Sequence, residues 1–288
     1  MAEVLERGGG GPPATPRKHI LGGDNTQSLD PMEVFESKRK VQRELEEGVV
    51  KFNLKPKQGI AFLDSVGYLD GKDPHQVAAF LKGQAERLNK TLVGEFLGKE
   101  KEYMGGFCVK VLHAYVDSLD LEDMVFDEAI RYYLSGFRLP GEAQKIDRMM
   151  EKFAERYCLQ NASVFPNPDT AFILAFSVIM LNTDLHNPSI KEDRRMSKED
   201  FMRNNRGIDQ GHSLPDEFLE GIYDRIAQSP ISLKEDDALR RVMDGRVGGG
   251  GGGSVLPQEL LSFGGNSTLR QKRMAALSRE RAAMLKVE

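Results

Sequence analysis

The stretch Phe137-Arg138-Leu139-Pro140-Gly141-Glu142-Ala143-Gln144-Lys145-Ile146-Asp147-Arg148 sets a Pro-Gly pair between two runs of helical spacing. Before it come Phe126, Ile130, Tyr133, Leu134 and Phe137; after it come Ile146, Met149, Met150, Phe153 and Tyr157. Proline and glycine interrupt a helix, so a tight loop is expected to join two helices here. Glu142 falls at the tip of that loop, where the next helix starts. An acidic residue in a first turn complements the helix macrodipole, and spacing alone favours that ordinary role.

Working outward, the same periodicity recurs. Val34, Val41, Leu45, Val49 and Phe52 follow Asp30-Pro31, where Asp30 can cap, Pro31 suits the first helical position and Glu33 completes a capping-box-like pattern. Asp73-Pro74 opens a segment with Val77, Phe80 and Leu81. Tyr103, Phe107, Val111 and Tyr115 recur every four residues, and Phe218, Ile222 and Ile226 close the ordered body. No set of alternating strands with hairpin turns is found. The body, about 31 to 237, therefore reads as eight to ten short helices, an all-α fold without an internal repeat.

A second segment stands out. Residues 170–187 run apolar on every side and then end Ile179-Met180-Leu181-Asn182-Thr183-Asp184-Leu185-His186-Asn187. The first part is the pattern of a helix buried in a core. The polar cluster that ends it reads either as an ordinary helix C-terminus or as the rim of a groove, and the residues alone favour the former.

The flanks differ. Gly8 to Gly11 with Pro12, Pro13 and Pro16 leave residues 1–29 without periodicity, a disordered leader in this reading. Gly248 to Gly253 mark a flexible linker over 238–266, and the Arg-, Ala- and Leu-rich stretch 267–288 reads as a basic helix that starts a further region. Net charge is −4, but residues 254–288 carry six basic residues against three acidic, leaving −7 on the rest. Such a body is a poor ligand for DNA or RNA, which bind through phosphate neutralisation. The basic tail suits either a solvated helix face or an anionic membrane surface. The longest apolar run, 171–181, is too short to span a bilayer, and the N-terminus lacks a signal core. Cys108 and Cys158, fifty positions apart, make no disulfide framework and suit a reducing cytosol.

Much chemistry is missing. There is no phosphate-cradling GxxxxGK[ST] loop, no HExxH, no paired-cysteine motif and no Gly-x-Ser-x-Gly. The five histidines are scattered, so no metal site is expected. Asp70-Gly71-Lys72-Asp73 lacks the ligand pattern of a calcium loop.

Together the two segments resemble the signature motifs of the Sec-seven domain, the exchange domain for Arf small GTPases. Residues 137–148 match the first motif essentially residue for residue, and residues 179–187 match the second. Asn205-Arg206-Gly207-Ile208 and Leu214-Pro215 also agree, so the resemblance covers about 33–236. Phe35-Glu36-Ser37 and the stretch Phe52-Asn53-Leu54-Lys55-Pro56-Lys57 are similar to the large, brefeldin-A-inhibited exchange proteins of the Golgi.

The resemblance implies a right-handed superhelix of about ten helices with a hydrophobic groove. It implies a guanine-nucleotide exchange factor with no covalent chemistry and no cofactor of its own, acting on the GDP and magnesium bound by an Arf-family GTPase. It places the protein in the cytoplasm, peripherally on Golgi or endosomal membranes. Glu142 takes the family's "glutamic finger" position, to which Pro140-Gly141 would give a defined bend and close backbone approach. The partner surface implied is Arg138, Gly141, Ala143 and Asp147 from the first motif, with Phe172, Phe176, Ile179, Met180, Thr183, Asp184, His186 and Asn187 from the second. Drug-sensitive members typically carry Tyr, Ser, Asp and Met where this chain has Phe176, Ser177, Asp184 and Met196. The missing hydroxyl at Phe176 implies weakened but not absent brefeldin A sensitivity. Two other readings stay open on sequence: a helical scaffold that binds Arf without exchange, and a hydrolase pairing Glu142 with His186.

Overall fold

The computed structural model describes residues 31–165, 167–188 and 190–231. The expected leader over 1–29, the capping role of Asp30, the linker over 238–266 and the basic helix over 267–288 lie outside the described residues.

Among the described residues there are ten α-helices and no strand, only an isolated bridge between Asp209 and His212. In chain order they are α1 Pro31–Leu54, α2 Pro56–Ser65, α3 Pro74–Gly83, α4 Lys90–Leu97, α5 Phe107–Asp117, α6 Phe126–Ser135, α7 Ala143–Gln160, α8 Pro168–His186, α9 Lys198–Asn204 and α10 Asp216–Gln228. The all-α class expected from spacing is the one observed. None of these helices is long and apolar enough to cross a membrane.

Local chemistry sets the helix starts. Proline, whose φ is already helical, stands in the first turn of α2, α3 and α8. Asp73 Oδ1 accepts from the His75 N–H at 2.8 Å, and Asn89 Oδ1 accepts from Thr91 and Leu92 at 3.0 and 3.2 Å. Ser197 and Asp200 form a reciprocal capping box on α9. One expectation fails: Tyr103 does not lie on the stripe of Phe107, Val111 and Tyr115. Met104, Gly105 and Gly106 take φ of 50°, 60° and 79°. That left-handed run cannot continue a right-handed helix, so α5 begins at Phe107 and Tyr103 stays exposed.

The chain divides into two units between Lys40 and Val41. In the first, the Arg39 guanidinium lies 5.7 Å over the Phe35 ring. In the second, α7 packs along α8, α3 on α5, and α10 on α8 and α9. Tyr133 of α6 stacks on Phe153 of α7 with centroids 5.1 Å apart, and its hydroxyl donates to the Met149 carbonyl at 3.0 Å. Phe126 meets Tyr157 and Phe165 edge-on at 5.0 and 5.1 Å. Helix α8 has twelve of its nineteen residues buried, so it is a core helix, as its uniform apolarity predicts.

Candidate functional site

The loop between α6 and α7 runs through the protein before it surfaces. Gly136, Phe137, Arg138, Leu139 and Pro140 are all buried; Gly141 and Glu142 are exposed. Phe137 packs edge-on against Tyr115 and Tyr133 at 5.9 and 5.0 Å. The Arg138 N–H donates to the Lys90 carbonyl at 3.0 Å, tying the loop to the start of α4. Its carbonyl lies against Gly94, where a Cβ would sit 1.7 Å from the oxygen. The close approach therefore occurs at Gly94. At Gly141, where sequence reasoning expected it, a Cβ would meet nothing within 4 Å, and φ is not left-handed.

Glu142 occupies the N-cap position of α7 with extended backbone, φ −93° and ψ 129°, and its side chain makes no capping bond. Instead its carboxylate, 60% exposed, meets the Lys145 ammonium at 2.7 Å. That ammonium also donates to Glu95 Oε2 of α4 at 3.1 Å. The bond from Lys145 holds the Glu142 carboxyl below the usual carboxylate range, with a weaker pull from Lys99. Burial pulls the Lys145 ammonium down, but the two carboxylates outweigh it and leave it raised. Glu142 is thus ionised at neutral pH, presented to solvent and held from below. Its charge still sits at the start of α7, where it complements the macrodipole, but its strongest partner is Lys145.

The second segment is more inward than expected. Phe172, Phe176, Ile179, Met180, Thr183 and Asn187 share one face of α8. Phe172 and Phe176 meet edge-on at 5.0 Å, and both are buried with Ile179, while Met180 is half-buried. The terminal polar residues have partners inside the fold. Asn182 exchanges two bonds with the Ile231 backbone, at 2.6 and 3.2 Å. The Thr183 hydroxyl donates to the Ile179 carbonyl at 3.0 Å. Asp184 accepts from the Met196 N–H, and the His186 ring bonds the Ile226 carbonyl at 2.7 Å. Asn187, half-buried, ends the helix. These partners tie Asn182, Thr183, Asp184 and His186 to the fold, and Asp184 and His186 stay half-buried. Carbonyls and amides left over at chain turns need side-chain partners, and these residues supply them.

Arg138 is buried, with Nη1 reaching the Phe137 carbonyl at 3.4 Å, so it helps to build the loop. Asp147 is half-buried in α7 and Ala143 begins that helix. Of the brefeldin-related set, Ser177 is buried, and Asp184 and Met196 touch each other through the bond above. Nothing supports a hydrolytic pair, since His186 is bound to α10 and Glu142 to Lys145. Burial pushes the Cys108 and Cys158 thiols up to about 12 and about 11, so neither is a thiolate nucleophile at neutral pH.

Sequence reasoning missed the seat of the loop on α4. Gly94 admits the Arg138 carbonyl, Glu95 binds Lys145, and Gly98 accepts at its carbonyl from Arg148 Nη2 at 2.8 Å. A signal was present: two glycines four apart within and just after a helix that neither propensity nor capping explains.

The loop, its exposed carboxylate and the buried helix beside α7 coincide with a family match over residues 41–231, to the Sec7 domain. The chain belongs to the Sec7 domain family. It is 54% identical over 203 residues to the "Brefeldin A-inhibited guanine nucleotide-exchange protein 2" of Arabidopsis thaliana, covering 70% of this chain and 11% of that relative. The crystal structure of the Sec7p catalytic domain matches with a TM-score of 0.60 and 44% identity, over 65% of this chain and 95% of that one. A structure of ARF1-GDP bound to a Sec7 domain with brefeldin A matches with a TM-score of 0.62 and 35% identity, over 70% and 99%. This chain spans about an eighth or less of the length of the curated relatives it matches.

Proposed function

We propose that this Sec7 domain promotes GDP release from an Arf-family small GTPase, with Glu142 as the acidic finger that enters the nucleotide's phosphate and magnesium site. One observation carries the reading: the chain is buried up to Pro140 and then presents an ionised, 60% exposed carboxylate at the loop tip.

Bound GDP is held largely by electrostatics, through its phosphates, a magnesium ion and a lysine of the GTPase. A carboxylate brought there repels the β-phosphate, competes with it for the cation site and offers the lysine another partner. Two like charges about 4 Å apart interact by roughly 4 kcal/mol at an effective dielectric near 20. At about 1.4 kcal/mol per tenfold, that is on the order of a thousandfold in release rate. Met180 and the apolar face of α8 around it, with Gly141 at the tip, offer the surface on which the GTPase docks. Exchange is then differential binding, in which the domain prefers the nucleotide-free partner and GTP later displaces it. The reaction takes place peripherally at Golgi or endosomal membranes and drives recruitment of vesicle coats. The expected brefeldin A response is reduced, because Phe176 lacks the hydroxyl of a tyrosine.

The test is release of fluorescent GDP from a truncated Arf. Glu142→Lys is expected to abolish stimulated release while circular dichroism and melting temperature stay near those of the parent, since the side chain lies outside the core. Undiminished release from this variant would falsify the finger assignment.

A further inference from the structure

We propose that Glu95 and Lys145 are positioning residues for Glu142: Lys145 fixes the carboxylate at the loop tip, and Glu95 keeps Lys145 from cancelling its charge. The inference rests on the finger reading above and deepens it.

A lysine 2.7 Å from the finger poses a physical problem. It holds the carboxylate in one place, which a side chain 60% exposed would otherwise not keep. Yet an ammonium alone beside it would make a neutral pair, with little field to repel a phosphate. Glu95 resolves the conflict. Its Oε2 lies 3.1 Å from the same Nζ, so two carboxylates share one ammonium and the group carries a net −1. The Lys145 side chain is 11% exposed and the Glu95 side chain 32%, whereas that of Glu142 is 60% exposed. The excess negative charge is therefore aimed outward through Glu142.

The same arrangement allows a hand-over. When Glu142 meets a cation of the partner, Lys145 is left with Glu95 and not as an unpaired, mostly buried charge, whose exposure to a low-dielectric site would be costly. The parts that place Glu95 are those that seat the loop. Helix α4 starts at the Asn89 cap and passes Gly94, against which the Arg138 carbonyl rests. The Lys145 stem crosses over Gly98, where a Cβ would lie 3.2 Å from its Cδ. Lys99, the other cation acting on Glu142, lies 5.4 Å over the Tyr103 ring.

The experiment uses the full chain and compares Glu95→Gln, Glu95→Asp and Lys145→Met, with melting curves to confirm folding. One readout is independent of exchange: the titration of the Glu142 carboxyl carbon by NMR. Lys145→Met is expected to raise its midpoint towards the ordinary glutamate value. Glu95→Gln is expected to lower it, because the ammonium then serves Glu142 alone. The other readout is nucleotide release with kcat and KM separated. Glu95→Gln is expected to lower kcat about tenfold with KM nearly unchanged, the effect of one unit charge lost a few ångströms behind the finger. Glu95→Asp is expected to restore most of it.

A Glu142 midpoint that moves in neither Lys145→Met nor Glu95→Gln overturns the positioning role. So does wild-type release left at full kcat by Glu95→Gln. A wild-type chain that stimulates no release at all overturns the proposed function itself, and the two failures are distinct because the NMR coupling is read without a GTPase.

Discussion

Asp184 holds a charge where burial disfavours one. Burial raises its pKa; the Met196 N–H bond and the nearby Arg195 oppose this without reversing it. An acid raised on folding binds more protons folded than unfolded, so stability falls as pH rises from the ordinary value of 3.8 through the raised one. Asp184→Asn removes the charge and keeps an oxygen for the Met196 N–H. The variant is expected to melt higher than the parent at pH 7, with the gap closing near pH 3, where the parent is itself protonated. Calorimetry at the two pH values checks it, and a gap independent of pH would contradict the assignment. Glu142 is the opposite case, an acid lowered by Lys145 and left in solvent. The sequence could place both residues near a helix end. It could not say which carboxylate faces inward, because the deciding partners, Met196 for one and Glu95, which holds Lys145, for the other, lie on other segments.

At the scale of elements, the loop over 136–142 is fixed by α4 more than by its own Pro-Gly pair. Two alanine substitutions separate these contributions. Gly94→Ala would set a Cβ 1.7 Å from the Arg138 carbonyl, a backbone atom that cannot swing aside. The overpacking is expected to cost about 1–3 kcal/mol, partly offset by the roughly 1 kcal/mol that alanine gains over glycine in a helix. Gly141→Ala meets no atom within 4 Å and needs no left-handed φ, so its melting temperature should hold or rise slightly. If a GTPase closes on the loop tip, Gly141→Ala nevertheless slows exchange, through KM. Thermal melts and release kinetics on both variants read this directly; a stable, fully active Gly94→Ala would deny α4 its role as the seat. Helix spacing made α6, α7 and α8 legible, since the buried stripes from Phe126 to Phe137 and from Ile146 to Tyr157 are local patterns. The turn of α8 from Asn182 to His186 was not legible in the same way. Polar residues that bond Ile231, Met196 and Ile226 look, in sequence, like polar residues that await a partner.

Across the unit from Val41 to Ile231, ion pairs differ widely in what they hold. Lys51 and Glu47 meet at 3.1 Å on the surface of α1, with side chains 39% and 56% exposed, and such pairs contribute about 0.3–0.5 kcal/mol. Asp127 is another matter: it is fully buried at the start of α6 and accepts three bonds from Arg225 of α10, at 2.7, 3.0 and 3.1 Å. Arg131, one turn on, donates to the carbonyls of Arg225, Ser229 and Pro230, and Asn182 takes up the Ile231 backbone. The end of α10 is thus fastened to α6, the helix that leads into the Glu142 loop, and to α8, the helix behind it. The ties from α6 to α10 span 94 to 99 positions in sequence, which is why no local pattern announced them. Asp127→Ala leaves Arg225 without its acceptor. Breaking a buried pair costs about 3–5 kcal/mol, and the 38% exposed Arg225 side chain moderates that to roughly 2–3 kcal/mol. The melting temperature is expected to fall by roughly 5–10 °C, against about 1–2 °C for Glu47→Ala. Equal shifts in the two variants would mean that α10 is not held through Asp127, and that the loop owes its placement to α4 alone.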